Sequence, residues 1–314
     1  MGNMREEIQP TILPSSIISR LSLAMIGQLS NRMTCPMETD LKGKIALITG
    51  STGGIGKETA RGLLERGIKT ILTARDSKKL EELKNDFLKD GISEDLLFGI
   101  CLDLSDLDTL KNISIKVEDV LQGEKISILI ENAGVWPTSY STTKQGYEIA
   151  FGTNVLGHFV LRKNLLQSNI LSNNARIVIL TGDIYILEND SFWDLKYSSS
   201  LGGVKAYCQS KLGNIWVARE LQKKYPELTV SIVHPGVISS GLGGAGSIGK
   251  FFKSFIMLDT KQGSQMSLYC ATQNDIQKGM YYHNANGASE FPEGDPALQE
   301  DKAKEYFERL DSLN

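Results

Sequence analysis

The sequence predicts an α/β protein in which a mostly parallel, seven-stranded sheet is doubly wound, with helices on both faces. Three observations carry that prediction. From residue 44 onward, short continuous apolar runs alternate with amphipathic stretches of helical length. The first of these runs ends in a glycine-rich turn that opens directly into a helix. No Pro/Gly-rich linker and no internal repeat divides 41–290, so that stretch reads as one domain although 314 residues would allow two.

The elements follow in order. Apolar, β-branched runs place strands at 44–49, 70–73, 97–102, 126–130, 176–180, 229–234 and 279–282. Helical periodicity fills the gaps at 55–66, 77–89, 107–121, 145–167, 204–225 and 262–272. Two flanking segments stand apart: an N-terminal arm, 1–40, and a charged amphipathic helical tail, 291–314, expected to dock on the surface. In the arm, 8–29 is fairly apolar but broken by Ser15, Ser16, Ser19, Arg20, Ser22 and Gln28. Its uninterrupted runs fall far short of the ~20 residues that span a bilayer. A secretory leader lacks its basic n-region here, and Glu6 stands where a myristoylation signal needs Ser or Thr. The arm reads either as a loosely ordered surface segment or as a helix touching a membrane or a second copy.

Composition narrows the function. Lys and Arg number 34 against 37 Asp and Glu, a net charge of -3 that argues against nucleic-acid binding. The four cysteines (Cys35, Cys101, Cys208, Cys270) and three histidines (His158, His234, His283) are scattered, with no CxxC or HExxH. A zinc site and a disulfide framework are both disfavoured, and no metal is expected. The reading is a cytoplasmic protein, with peripheral membrane contact and a homo-oligomer as further expectations.

The strand at 44–49 runs into Gly50, then Ser51, Thr52, Gly53, Gly54, Ile55 and Gly56, and a helix begins. Glycines let the backbone turn sharply and approach a pyrophosphate, which the helix N-terminus then holds. The second strand ends at Arg75 rather than at an acidic residue, and Lys57 follows the last loop glycine. An acid there would bind ribose hydroxyls, whereas cations suit a 2′-phosphate. The cofactor expected is therefore NADP(H), with NAD(H) the alternative. Asp103-Leu104, after the third strand, is placed to meet the adenine, or else to cap the helix near 107.

Tyr207 and Lys211 lie four apart within helical periodicity, on one face and one turn apart. A phenol titrates near ~10, and a neighbouring ammonium favours its ionised form. A hydride-transferring enzyme that reduces a carbonyl needs such a proton donor.

Together these segments resemble the short-chain dehydrogenase/reductase family, in its retinol-dehydrogenase-like branch, over roughly 42–285. Thr49-Gly50, Gly54 and Gly56 fit that family's TGxxxGxG loop, and Asn132-Ala133-Gly134 its NNAG element. The resemblance implies a Rossmann fold and a catalytic set of Asn154, Tyr207 and Lys211, with the main chain of Asn154 holding a water that leads to Lys211. It also implies that Pro235, Gly236 and Val237 touch the nicotinamide end, and that 239–258 forms a substrate lid. The implied small-molecule substrates are an alcohol and an aldehyde or ketone, expected to be lipophilic.

Two departures stand out. Glu131 replaces the first Asn of NNAG, and Gly182 falls on the catalytic Ser, with Thr181 or Asp183 as the substitute if the backbone shifts. Losing one such donor costs roughly 10²–10³ in rate, so a weak or silent NADP(H)-binding scaffold is the second reading. His158, His234 and Tyr281-Tyr282-His283 read as structural.

Overall fold

The structure, a computed structural model, describes residues 10–28, 33–37, 41–191, 194–238 and 258–313. Its strands are β1 (Thr11–Ile12), β2 (Ile45–Ile48), β3 (Lys69–Ala74), β4 (Leu97–Cys101), β5 (Ile126–Glu131), β6 (Leu171–Leu180), β7 (Thr229–His234), β8 (Tyr281–His283) and β9 (Gly287–Glu290). They form one sheet in the order β1-β9-β8-β7-β6-β5-β2-β3-β4. Every neighbouring pair is parallel except β8 and β9. All seven expected strands are present, and the described residues add two. Neither was legible: β1 has two exposed residues and β9 reads Gly-Ala-Ser-Glu, so neither shows an apolar run or an alternation.

The helices are α1 (Ile17–Ser22), α2 (Gly54–Leu64), α3 (Ser77–Lys89), α4 (Leu107–Leu110), α5 (Ile113–Leu121), α6 (Gly157–Gln167), α7 (Ser200–Lys224), α8 (Thr260–Thr272) and α9 (Glu300–Ser312). The helix expected at 107–121 is broken at Asn112, whose backbone leaves helical geometry (φ -108°, ψ 19°). The one expected at 145–167 enters α6 through a π-helical stretch, Phe151–Leu156. Such widened turns cluster at functional sites.

Successive strand residues face opposite ways, and the core divides accordingly. Ile45, Leu47, Leu129, Ile177 and Ile232 pack under α5, α6, α7 and α9. Ala46, Ile48, Ile130, Val178 and Val233 pack under α2, α3 and α8. The C-terminal tail is thus more than surface dressing, since Ala303, Tyr306, Phe307 and Leu310 are buried in the first layer.

Residues 10–28 are likewise built in, which corrects the reading of a loose arm for that stretch. Strand β1 extends the sheet edge, Leu13 and Ala24 are buried, and Arg20 is fully enclosed. Its guanidinium meets Asp295 and the Tyr185 hydroxyl, each at 2.9 Å. A buried cation is tolerable only with such partners. Ile12, Ile17, Ile18 and Ile26 of this segment are exposed. All four cysteines are free thiols, and among the described residues no helix is long and apolar enough to cross a membrane. The lid expected at 239–258 lies outside the described residues apart from Leu258.

Candidate active site

Strand order reverses at β2, where the chain proceeds to β3 on one side and to β5 on the other. Helices leave in opposite directions at such a point and open a crevice beyond the strand ends. A cleft of about 420 Å³ occupies it. One end is the β2–α2 loop with Arg75, Asp103 and Leu104, and the other holds Thr181, Tyr207, Lys211 and Pro235. Asn132, Ala133 and Gly134 form the floor between them.

Gly50 has φ +69°, the left-handed region that glycine tolerates best. A Cβ on Gly56 would run into the Gly50 carbonyl and the Asn132 side chain. Asn132 Nδ2 donates to the carbonyls of Thr49 (2.8 Å) and Gly50 (3.3 Å), fixing the loop. Thr52, Gly54 and Ile55 line the cleft, but the Ser51 hydroxyl turns away to the Thr73 carbonyl at 3.1 Å. Lys57 is not among the lining residues, because its ammonium pairs with Asp86 of α3 at 3.2 Å. Of the two cations singled out, only the exposed Arg75 borders the cleft. Asp103 lines it too, accepting from the Ser105 N–H (2.9 Å) and hydroxyl (2.7 Å), while Asp106 caps α4 instead.

Tyr207 and Lys211 share a face of α7, with the ammonium 5.3 Å from the phenol ring centre. Trp136 stacks on that ring at 4.3 Å and 14°. Burial raises the Tyr207 pKa above the ordinary phenol value and lowers that of Lys211 to about 8, because a dry site disfavours both charged forms. The protein by itself therefore keeps the phenol protonated, the reverse of the lowering expected from the lysine's charge. Lys211 Nζ donates to the Leu180 carbonyl at 3.3 Å. The side chain of Asn154 exchanges hydrogen bonds with the Val135 main chain (2.7 and 3.0 Å) and donates to Ser210 Oγ (2.9 Å). Its main-chain carbonyl faces His158 Nδ1 at 3.0 Å.

Gly182 is extended and lies two residues beyond the end of β6. A Cβ there would meet only Ile184 at 3.9 Å and His234 Nδ1 at 4.0 Å. Both neighbours of Gly182 already hold hydrogen-bond partners. The Thr181 hydroxyl is committed to the Lys211 carbonyl at 2.8 Å, bracing α7 against the sheet. Asp183 points into the core, where it accepts from the Tyr281 hydroxyl (2.5 Å) and His283 Nε2 (3.1 Å). Burial alone would raise its pKa, yet His234, His283 and Tyr281 hold the carboxyl well below the usual range.

Gly236 (φ +100°) and Val237 lie just beyond the lining residue Pro235, with the Val237 N–H donating to Gln28 Oε1 at 2.9 Å. Sequence reasoning missed Trp136, Val135, Ile149 and Thr153, which complete the inner wall or cover the phenol and carry no motif. It also left Glu131 unexplained. That carboxylate forms a buried ion pair with Arg162 of α6, 31 residues further on.

A model of the short chain dehydrogenase family matches residues 44–245. Retinol dehydrogenase 12 of Mus musculus is 35% identical over 260 residues, covering 79% of this chain and 80% of the relative. Retinol dehydrogenase 11 of the same species is 36% identical over 272 residues, covering 85% of each. Among solved structures, an uncharacterized protein from Mycobacterium paratuberculosis superposes with a TM-score of 0.65 at 25% identity, covering 87% of this chain and 94% of that one.

Proposed function

The chain belongs to the short-chain dehydrogenase/reductase family, and on that premise we propose that it is an NADP(H)-dependent enzyme for a lipophilic carbonyl, with Tyr207 as its proton donor. Membership makes it an oxidoreductase that uses NAD(P)(H) to interconvert an alcohol and an aldehyde or ketone. The finer reading rests on one observation: Arg75 and the glycine loop stand at one end of a single cleft, and Tyr207 with Lys211 at the other. The residues fit the cofactor, since Gly50 and Gly56 let the loop fold closely onto Ala133 and Asn132, and the lining residue Gly53 has open space where a Cβ would stand. The cationic rim suits an added phosphate, and the relatives' names support a lipophilic alcohol.

A bound nicotinamide supplies the hydride. Everything else falls to the chain. Tyr207, a phenol whose pKa burial raises further, holds its proton at neutral pH, and passes it from Oη to the carbonyl oxygen. Lys211, one turn on, places a positive charge beside the phenolate that this leaves. Trp136 shields one face of the phenol from water. With Gly182 in place of a hydroxyl donor, Tyr207 polarises the carbonyl without a second side chain from the turn after β6.

The experiment is a screen of NADPH consumption against aldehydes, ketones and quinones, retinaldehyde included, followed by cofactor titration. NADPH is expected to bind roughly tenfold or more tightly than NADH, the worth of one charge-assisted contact. Arg75→Asp should erase or invert that preference. Equal affinities in the unmodified protein would sink the NADP assignment, and a silent screen would sink the carbonyl-reduction reading.

A further inference from the structure

Thr49, the last residue before the glycine loop, is completely buried, and its hydroxyl has one hydrogen and two lone pairs. The main-chain N–H groups of Asn132 and Ala133 point at it from 2.9 and 3.0 Å and occupy both lone pairs. Its hydrogen then has two acceptors within reach, His158 Nε2 at 2.8 Å and the Ile130 carbonyl at 3.4 Å. The shorter contact takes it, so Nε2 is a bare lone pair. On the other side of the ring, Nδ1 lies 3.0 Å from the Asn154 carbonyl oxygen, which can only accept. Nδ1 must therefore carry the hydrogen.

One neutral tautomer satisfies both ends. The other tautomer would set a third donor on Thr49 and oppose two lone pairs at Asn154. The imidazolium would repair the Asn154 end and leave the Thr49 end broken. Charges around the ring come from Glu131 of β5, Arg162 of α6 and Lys211 of α7; the first favours a cation and the other two oppose it, while burial, the largest influence, lowers the pKa.

We infer that His158 is a positioning residue for this site, a neutral, Nδ1-protonated imidazole that ties the entrance of the phosphate loop to the main chain carrying Asn154. The inference rests on the cofactor and proton-transfer reading of the cleft given above. From sequence, His158 on its apolar helix reads as a buried packing or hydrogen-bonded residue, with no partner named. In the fold, that ring is the sole direct side-chain link, among the described residues, between Thr49 and the backbone of Asn154. Cofactor affinity should therefore answer to the Thr49 end of the ring.

The chain's two other histidines make the tautomer measurable. Nδ1 of His234 accepts from the Asp183 N–H at 3.3 Å, and Nδ1 of His283 accepts from the Ala285 N–H at 3.1 Å. Both rings are therefore protonated on Nε2, and His158 should give the single Nδ1–H pattern. The experiment is long-range ¹H–¹⁵N NMR of histidine-labelled full-length protein at pH 7, assigned by the signal lost in His158→Leu or, where that variant does not fold, in His158→Gln. Alongside it, NADPH is titrated into both variants and their thermal midpoints are measured.

His158→Gln keeps an acceptor facing Thr49 and should bind NADPH within about threefold of the unmodified protein. His158→Leu should bind about fivefold to tenfold more weakly, the worth of one net hydrogen bond. An Nε2–H or imidazolium signature for His158 overturns the inference. So does native-like NADPH affinity in His158→Leu, or a loss of affinity in both variants that merely follows their thermal midpoints. A native protein that turns over no carbonyl fails the preceding proposal while moving neither of these readouts.

Discussion

Tyr207→Phe removes one oxygen and leaves the ring that Trp136 stacks on, so the wall of the cleft should survive. Turnover is expected to fall by roughly 10²–10⁴, the usual contribution of a placed acid, while the NADPH dissociation constant stays put. Near-full activity in that variant would move the proton donor elsewhere. Gly182→Ser is the complementary change. The nearest atoms to a new Cβ are 3.9 and 4.0 Å away, an ordinary contact, and the extended backbone suits any residue. The added hydroxyl should raise kcat on a small aldehyde several-fold, up to the ~10² that one oxyanion donor supplies. Thr181→Val should act differently: it frees the Lys211 carbonyl from its bond and lowers the thermal midpoint before it alters the chemistry. Abolished kcat in Thr181→Val at unchanged stability, with Gly182→Ser inert, would reassign the donor to Thr181.

At the scale of strands and helices, what was legible is what short spacing encodes. The glycine loop, the seven apolar strands and the Tyr207–Lys211 pair each lie within one local pattern, and the structure brings the loop and the pair to one cleft. Unread features depend on partners far along the chain: Lys57 on Asp86, Glu131 on Arg162, Thr49 on His158. No periodicity announces such pairings. The ends of β7 and β8 show the same thing, with His234 and His283 in register and both held beside Asp183. Burial lowers the pKa of His234 to about 4 from an ordinary 6.5. Between those values the unfolded chain binds a proton that the folded chain refuses, so stability should fall as pH drops from ~6.5 toward ~4. Urea denaturation at pH 7 and pH 5 checks this. His234→Asn, which keeps an acceptor for the Asp183 N–H, should lose less on acidification, and an unchanged loss would clear His234 of the effect.

For the whole molecule, the N-terminal segment works as a brace joining distant parts. Arg20 bridges to Asp295 across 275 positions, and Tyr185 donates to the same carboxylate. Gln28 meets Val237, next to the Pro235 that borders the cleft. Arg20→Met would leave a buried carboxylate with the Tyr185 hydroxyl and the Ala297 N–H but no cation beside it, at a cost of about 3–5 kcal/mol. Chemical denaturation should register that loss, and a change under about 1 kcal/mol would show that the pair is dispensable.

The pairing of β1 with β9 also sets an order of events. Thr11 lies against Ser289, so the first of the described strands has no place to go until the last of them is synthesised. Closing so long a span costs entropy that grows with its logarithm, and the β2–β3 pairing, with its ends some two dozen residues apart, closes first. The central parallel strands can therefore pair before β9 exists, and β9, once made, presents an open hydrogen-bonding edge until β1 docks, the sort of surface on which chains stick to one another. By docking there, the segment that looked like an appendage covers β9 and leaves as the outermost described strand one of two residues, a short edge that offers little for another chain to pair with.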